Sequence, residues 1–568
     1  MSKAPSRSVW DHPWLPYLLI AGVALIVLVP GTWHLPLIDR DEPRFAEATR
    51  EMIARHEWII PYFNHHFRFD KPVLTYWLMR GGYLLFGIDP FGARFHSIIS
   101  ALLTAVVIFA LGRRHFSNRI GGAAAVGFLT CFQVFLHGRS ATADMPMVLA
   151  VAVSQMALYE LLCRESQPRP HRWFFILYVA LAIGFLAKGP IAILVPLLTV
   201  LLLRFALWRR PLPWARLKPQ WGLPLVLIIV GAWGVPALYL THGLFWQVGM
   251  EKHVIDRGLE VFDGRFYSPF FYLVTAFFSL CPWIAFAGEG FRAVRAHWDR
   301  SNAFLAAWLL SPYLIFTFYA TQLPHYVMPG FPAFFLLTAQ ALEFPESGNR
   351  GWVNWWWRAS LALPALLAGV FVLALAYALS VKAPSPIALV LLAGALLTMA
   401  AVVLALSVRS RRKWAFFCGL FLMAASAVSM GRGLHRLVPA VQLQPIFNEM
   451  PADTRYLAYR FTEGSLVFYS HGQWQMTNDV KDLKQFLKGG GPRLAVVLER
   501  EVKVERYLKW MVHRRLDPAA VLNANDFSRR IGALDTHAYR HQDFTGLNLG
   551  RFSWVTLRVY YRLADTGN

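Results

Sequence analysis

The sequence predicts a polytopic α-helical membrane protein that carries a soluble α/β domain at its C-terminal end. Three observations predict it. Of 568 residues, 56% are hydrophobic and 15% aromatic, too apolar for an ordinary soluble chain. Apolar runs of about 20 residues, enough to cross a bilayer, recur as far as position 431. From about Gly433 onward charges rise, apolar runs shorten and alternating, strand-like stretches take over.

The first apolar run, Pro16 to Pro36, is long, ends in charge and lacks a small-residue cleavage site, so it reads as a span and not as a signal peptide. It leads into IDRDEPRFAEATREM, Ile38 to Met52, which gathers Asp39, Arg40, Asp41, Glu42 and Arg44 at the membrane exit. Pro43 suits a first helical turn, and Phe45, Ala48, Met52 and Ile53 recur at helical spacing. The result is an amphipathic helix on the membrane surface. A second short helix follows the aromatic, proline-rich stretch around FDKPVLTYW, so interfacial helices occupy about 42–86.

Further spans are expected near 92–112, 121–138, 145–163, 173–187, 191–208, 221–241, 269–288, 302–320, 328–343, 360–380, 386–408 and 414–431, about 13 with the first. Residues 1–432 form the membrane domain and 433–568 the soluble one. In the latter, YLAYRF, SLVFYS, RLAVVLE and WVTLRVYYRL read as strands, and VKDLKQFLKG as a helix ending at Gly489–Gly491. No repeat of solenoid period is visible.

The net charge of +23 does not point to nucleic acid, because the basic residues lie in short clusters between apolar runs. Arg113, Arg114 and Arg119, then Arg164, Arg169 and Arg172, then Arg209, Arg210, Arg216 and Lys218 fall on one alternate side. Arg292, Arg295 and Arg300, and Arg409, Arg411, Arg412 and Lys413, fall there too. That side is cytoplasmic, where these clusters meet anionic membrane lipids. An odd number of spans then leaves the C-terminal domain outside.

The outer face collects ionisable residues at span ends: Asp39, Asp41, Glu42 and Arg44; Asp70 and Lys71; Arg139 and Asp144; Lys188; Lys252, His253, Asp256 and Arg257; His325 with Tyr326. Charges near bilayer depth are costly unless paired or functional, so this grouping points to a polar cavity. Each has a plainer reading. Asp41, Glu42 and Asp144 suit helix N-termini, and a surface lysine such as Lys71 can snorkel. Lys188, in FLAKGP at the end of an apolar run, has little local reason to be there. No HxxxH or cysteine-rich pattern suggests zinc, and Cys131, Cys163, Cys281 and Cys418 read as core residues.

DRDEPRFAEATREM, FDKPVLTYW and LPHYVMPGFPAF together resemble the membrane glycosyltransferases of the GT-C fold. Within them the chain resembles the bacterial 4-amino-4-deoxy-L-arabinose transferases of lipid A, with protein O-mannosyltransferases as more distant relatives. The resemblance implies an inner-membrane enzyme that moves the aminosugar from undecaprenyl phosphate to lipid A at the periplasmic face, lowering the attraction for polymyxin and other cationic peptides. It implies Asp41 and Asp144 as catalytic residues, and Lys71, Arg44, Arg257, Lys188, Tyr326 and His253 as groups that bind the donor phosphate. The pattern identifies no cofactor, and a divalent metal stays open. Two alternatives also stay open: a polyprenyl-phosphate sugar transferase with a protein or glycan hydroxyl as acceptor, and a transporter or flippase. The absence of paired halves and of midplane charges speaks against transport. No glycine-rich nucleotide loop is present.

Overall fold

A computed structural model of the chain describes residues 9–256, 268–343, 351–353, 355–360, 428, 434–435, 437–503, 536–551 and 553–563. Helix α1, Leu15–Leu28, is shorter than the expected span to Pro36. Pro30 cannot continue the helical ladder and Gly31 follows at φ 78°, so the chain turns there.

Two amphipathic helices follow, α2 (Glu42–Ala54) and α3 (Leu74–Phe86), with a small hairpin of β1 (Tyr62–Phe63) and β2 (His66–Phe67) between them. Their apolar faces meet. Phe45 lies 5.4 Å from the Tyr76 ring, the Thr49 hydroxyl donates to Met79 Sδ at 3.2 Å, and the Tyr83 hydroxyl donates to the Ala46 carbonyl at 3.0 Å.

The helices behind them are α4 (Pro90–His115), α5 (Asn118–Thr130), α6 (Phe132–His137), α7 (Asp144–Leu162), α8 (Pro170–Lys188), α9 (Ile191–Leu202) and α10 (Pro219–Leu240). Among the described residues four helical stretches are long and apolar enough to cross a membrane: α4, α7, α8 and Trp214–Leu240. The pair Phe271–Ser279 and Trp283–Ala296, bent by 109°, makes a fifth only if the two helices are counted as one span. This supports a polytopic membrane protein. The expected spans 360–380, 386–408 and 414–431 fall almost entirely outside the described residues.

Two expected single spans are broken. The run 121–138 divides at Cys131, whose backbone is extended, and 269–288 divides at Pro282, which has no N–H to give. The two breaks bind each other: Phe132 N–H donates to the Cys281 carbonyl at 3.0 Å, and Trp283 Nε1 donates to the Thr130 hydroxyl at 2.8 Å. Each break satisfies groups that the other leaves open. The expected span 328–343 begins as a 3-10 helix, Pro324–Gly330, before the α-helix Phe331–Ala339.

Helix α7 has a differently charged end at each terminus. At its C-terminal end buried Glu160 is ringed by Arg114 at 3.1 Å, His115 at 3.1 Å and Arg164 at 3.4 Å. Arg216 donates to the carbonyls of Leu161, Arg164 and Glu165 nearby. The basic loops gather here, and Asp144 opens the helix at the far end, about 24 Å from Glu160 at 1.5 Å per residue.

Among the described residues the C-terminal segment holds a five-stranded sheet in the order β4-β3-β5-β7-β6: β3 Arg455–Tyr459, β4 Trp474–Thr477, β5 Arg493–Lys503, β6 Arg540–Asn548 and β7 Ser553–Arg562. β3 runs parallel to β4 and β5, and β7 antiparallel to β5 and β6. The helix Val480–Lys488 buries Leu483, Phe486 and Leu487 and ends at Gly489. SLVFYS, read as a strand, is instead part of the helix Gly464–Ser470. It is buried from Gly464 to Tyr469, so its apolar run carries no period, and it supplies the crossover that parallel β3 and β4 require.

Candidate active site

The exit motif is organised by a buried ion pair. Arg94 on α4 grips Glu42 with Nε to Oε1 at 3.0 Å and Nη2 to Oε2 at 2.7 Å. Its remaining donors reach the carbonyls of Thr32, Leu35 and Pro36, while Glu42 also accepts from the backbone N–H of Ile38 and Ala141. One pair thus ties the end of α1, the start of α2, α4 and the loop before α7. With both charges satisfied on all sides, the arrangement holds at full burial.

Asp41, by contrast, occupies the N-cap position without capping: its side chain makes no hydrogen bond to the helix, and it is exposed. Beside it Arg68, 7% exposed, donates from Nε to the Tyr76 hydroxyl at 3.1 Å and pairs with Asp70 at 2.8 Å. Burial disfavours the Arg68 charge, but Tyr76, Asp70 and Asp41 more than offset this and raise its pKa. Tyr76 is pushed up to about 12 by burial, against the pull of Arg68, so it stays a phenol. Lys71 Nζ donates to the Asp70 carbonyl at 2.8 Å and remains partly exposed. The FDK loop also meets the π-helical segment Phe245–Asp256, which contains His253: Phe69 packs edge-on to Phe245 at 5.6 Å. A Cβ on Gly249 would lie 2.9 Å from the Phe69 carbonyl oxygen, so only glycine fits that approach.

A second group lies at the start of α7. Asp144, 5% exposed, binds Lys188 from the end of α8, and His325 Nε2 lies 3.6 Å from the same oxygen. Lys188 stands 5.3 Å over the Tyr326 ring, and the His137 ring lies 4.5 Å from that of His325. The two groups share one end of the helices. Ala141 binds Glu42, and the Thr75 hydroxyl, four residues after Lys71, donates to the carbonyl of Ala187, next to Lys188, at 3.3 Å.

Of the residues expected in the site, Asp41 and Lys71 stand together, and so do Asp144, Lys188 and Tyr326. Arg44 is partly buried near Asp39 and the helix Gly464–Ser470, where a Cβ on Gly464 would lie 2.9 Å from Arg44 Cγ. The His253 side chain and all of Arg257 lie outside the described residues. Arg68, Arg94 and His137 were not expected. His137 sits in an apolar run and Arg94 inside a span, and the clue for Arg94 was its cost there without a partner.

The profile of dolichyl-phosphate-mannose-protein mannosyltransferases matches residues 70–235. An undecaprenyl phosphate-alpha-4-amino-4-deoxy-L-arabinose arabinosyl transferase of Enterobacter sp. (strain 638) is 29% identical over 370 residues, 62% of this chain and just under two thirds of its own length at 64%. That of Erwinia tasmaniensis is 30% identical over 420 residues, 71% of this chain and 75% of its own. The chain belongs to this arabinosyl transferase family. Its fold agrees with the family: ArnT from Cupriavidus metallidurans, solved with undecaprenyl phosphate bound, superposes with a TM-score of 0.72 at 19% identity over 96% of this chain and 98% of that one. The archaeal oligosaccharyltransferase AglB from Archaeoglobus fulgidus shares the fold more distantly, with a TM-score of 0.51 at 11% identity over 85% and 69% of the two chains. The arabinosyl transferase family thus supplies the frame in which both residue groups stand, a polytopic membrane protein of GT-C fold.

Proposed function

We propose that the chain transfers 4-amino-4-deoxy-L-arabinose from undecaprenyl phosphate to a phosphate of lipid A, at the periplasmic face of the bacterial inner membrane. The observation that carries this is the match across 75% of the Erwinia arabinosyl transferase. The orientation follows from the Arg-rich end around Glu160, which the positive-inside tendency assigns to the cytoplasm, leaving Asp41 and Asp144 at the opposite face.

The chemistry suits the residues. When the sugar leaves its carrier, the bond from the anomeric carbon to the phosphate oxygen breaks and negative charge grows on that phosphate. Lys71 and Lys188 supply cations for it, and Tyr326 stands beside Lys188 as a hydroxyl donor. A lipid A phosphate is already ionised near neutral pH and attacks without a strong base. Asp41 is then free to hold the protonated amino group of the sugar, with Asp144 keeping Lys188 in place. Arg257 and His253 complete the phosphate-binding set, and Arg44 instead supports the C-terminal domain from α2. Residues 433–568 act as its soluble periplasmic part.

Mass spectrometry of lipid A from cells lacking their own aminoarabinose transferase tests this. The wild-type chain adds the aminoarabinose mass and Asp41→Ala does not. No added mass, with expression and donor lipid verified, would refute the substrate; added mass in both would discard Asp41.

A further inference from the structure

Lys188 occupies only one oxygen of Asp144. The bond goes to Oδ1, and the side chain is 5% exposed. Around the carboxylate stand two imidazoles from separate elements, His137 at the end of α6 and His325 in the 3-10 helix Pro324–Gly330. Ligand atoms of His137, Asp144 and His325 all lie within 4.8 Å of one another. We propose that these three residues bind a divalent transition cation of the zinc class, and that this cation competes with the Lys188 ammonium for Asp144.

The ligand set selects the cation. Two imidazoles and one carboxylate suit borderline ions such as zinc or cobalt and leave a position open, whereas calcium and magnesium require mostly oxygen ligands. A zinc ion with bonds of about 2.0 Å sets tetrahedral ligand atoms about 3.3 Å apart, so side-chain rotations of about 1 Å close the site.

The surroundings support it. Gln133 Nε2 lies 3.0 Å from His137 Nδ1, and its oxygen accepts from the Ser279 hydroxyl at 3.0 Å. In that orientation His137 carries its proton on Nε2. Turning the Gln133 amide over lets its oxygen accept from Nδ1–H, which bares the Nε2 lone pair, and the Ser279 hydroxyl then accepts instead of donating. The network fits both states and fixes the ring in each, as groups behind metal-bound histidines do.

Lys188 is the competitor. A dication beside Asp144 repels the ammonium, while the contact that Lys188 already makes with the Tyr326 ring at 5.3 Å does not depend on Asp144. In the proposed function, on which this consequence rests, that displacement adds a cation and a freed lysine beside the donor phosphate.

Tag-free, chelator-stripped full-length protein in detergent, titrated with Co²⁺ in the absence of donor and acceptor, tests the site by its visible absorption band. Because no transfer is measured, the outcome is independent of the sugar substrate. The band is expected to be lost in His137→Ala and His325→Ala, to be displaced by Zn²⁺, and to reflect at least tenfold tighter binding in Lys188→Met. Misfolding cannot produce that gain. A band that persists in both histidine variants, or a Lys188→Met protein that binds no more tightly than wild type, would overturn the proposal.

Discussion

Arg94 and Glu42, 52 positions apart in sequence, meet through two parallel hydrogen bonds of 3.0 and 2.7 Å in a region closed to water. This pair sets where α2 begins, and with it the position of Asp41. Glu42→Gln leaves the Arg94 charge buried without its partner, which costs about 3–5 kcal/mol in such settings. Fluorescence-detected size exclusion after heating should show a clear loss of thermal stability, with Arg94→Met equally damaging. A variant as stable as wild type would contradict the structural role.

Asp41 bears no comparable structural load, since it is exposed and caps nothing. Asp41→Asn should leave melting unchanged and lower transfer by a factor on the order of 10²–10³, the usual size for one lost electrostatic contact at a reacting centre. Lys71→Met should act on the donor, raising its KM as well as lowering kcat. Kinetics with purified donor lipid separate the two, and a Lys71→Met enzyme with an unchanged KM would remove it from the phosphate site.

Arg68 has two roles that mutation can separate. Tyr76→Phe removes one acceptor from Arg68, a loss of about 1 kcal/mol that should leave activity largely intact. Arg68→Leu strips Asp70 of its 2.8 Å partner and Asp41 of its nearby cation, and should abolish transfer. Equal activity in the two variants, measured as release of undecaprenyl phosphate, would count against a role for Arg68 beyond packing.

The outer elements were legible where local chemistry decides them. The start of α2 at Glu42–Pro43, the ends of α7 and α8 and the helix Val480–Lys488 all follow from proline, glycine and apolar spacing. Less local features were hidden. The helix Gly464–Ser470 is buried on every side and so loses its period, and the breaks at Cys131 and Pro282 stabilise each other from about 150 positions apart. Asp41, Lys71, Asp144 and Lys188 stood out because charge at a span end is conspicuous. His137 did not, because its partners Gln133, Asp144 and His325 come together only through the fold.

The C-terminal sheet docks through Asp39, which accepts from the Ser465 N–H at 2.9 Å and its hydroxyl at 2.6 Å. Burial, and then the neighbouring Glu463 carboxylate, push Asp39 up to about 7 from 3.8. A folded value above the unfolded one means that the folded state holds the proton more tightly. Its stabilising contribution is complete below pH 3.8 and is lost as the pH rises through about 7. Hydrogen exchange at Gly464–Ser470 should therefore speed up between pH 5 and 8 beyond its intrinsic dependence, and Asp39→Asn should remove the excess. An identical pH dependence in the variant would contradict the assignment.

The most direct test of the central claim is transfer by the purified enzyme in lipid nanodiscs, given undecaprenyl-phosphate aminoarabinose and either lipid A or enzymatically dephosphorylated lipid A. Mass spectrometry of the products should show the aminosugar on phosphorylated lipid A alone, with release of free undecaprenyl phosphate in equal amount. Transfer of equal extent to the dephosphorylated acceptor, or none to either, would contradict it.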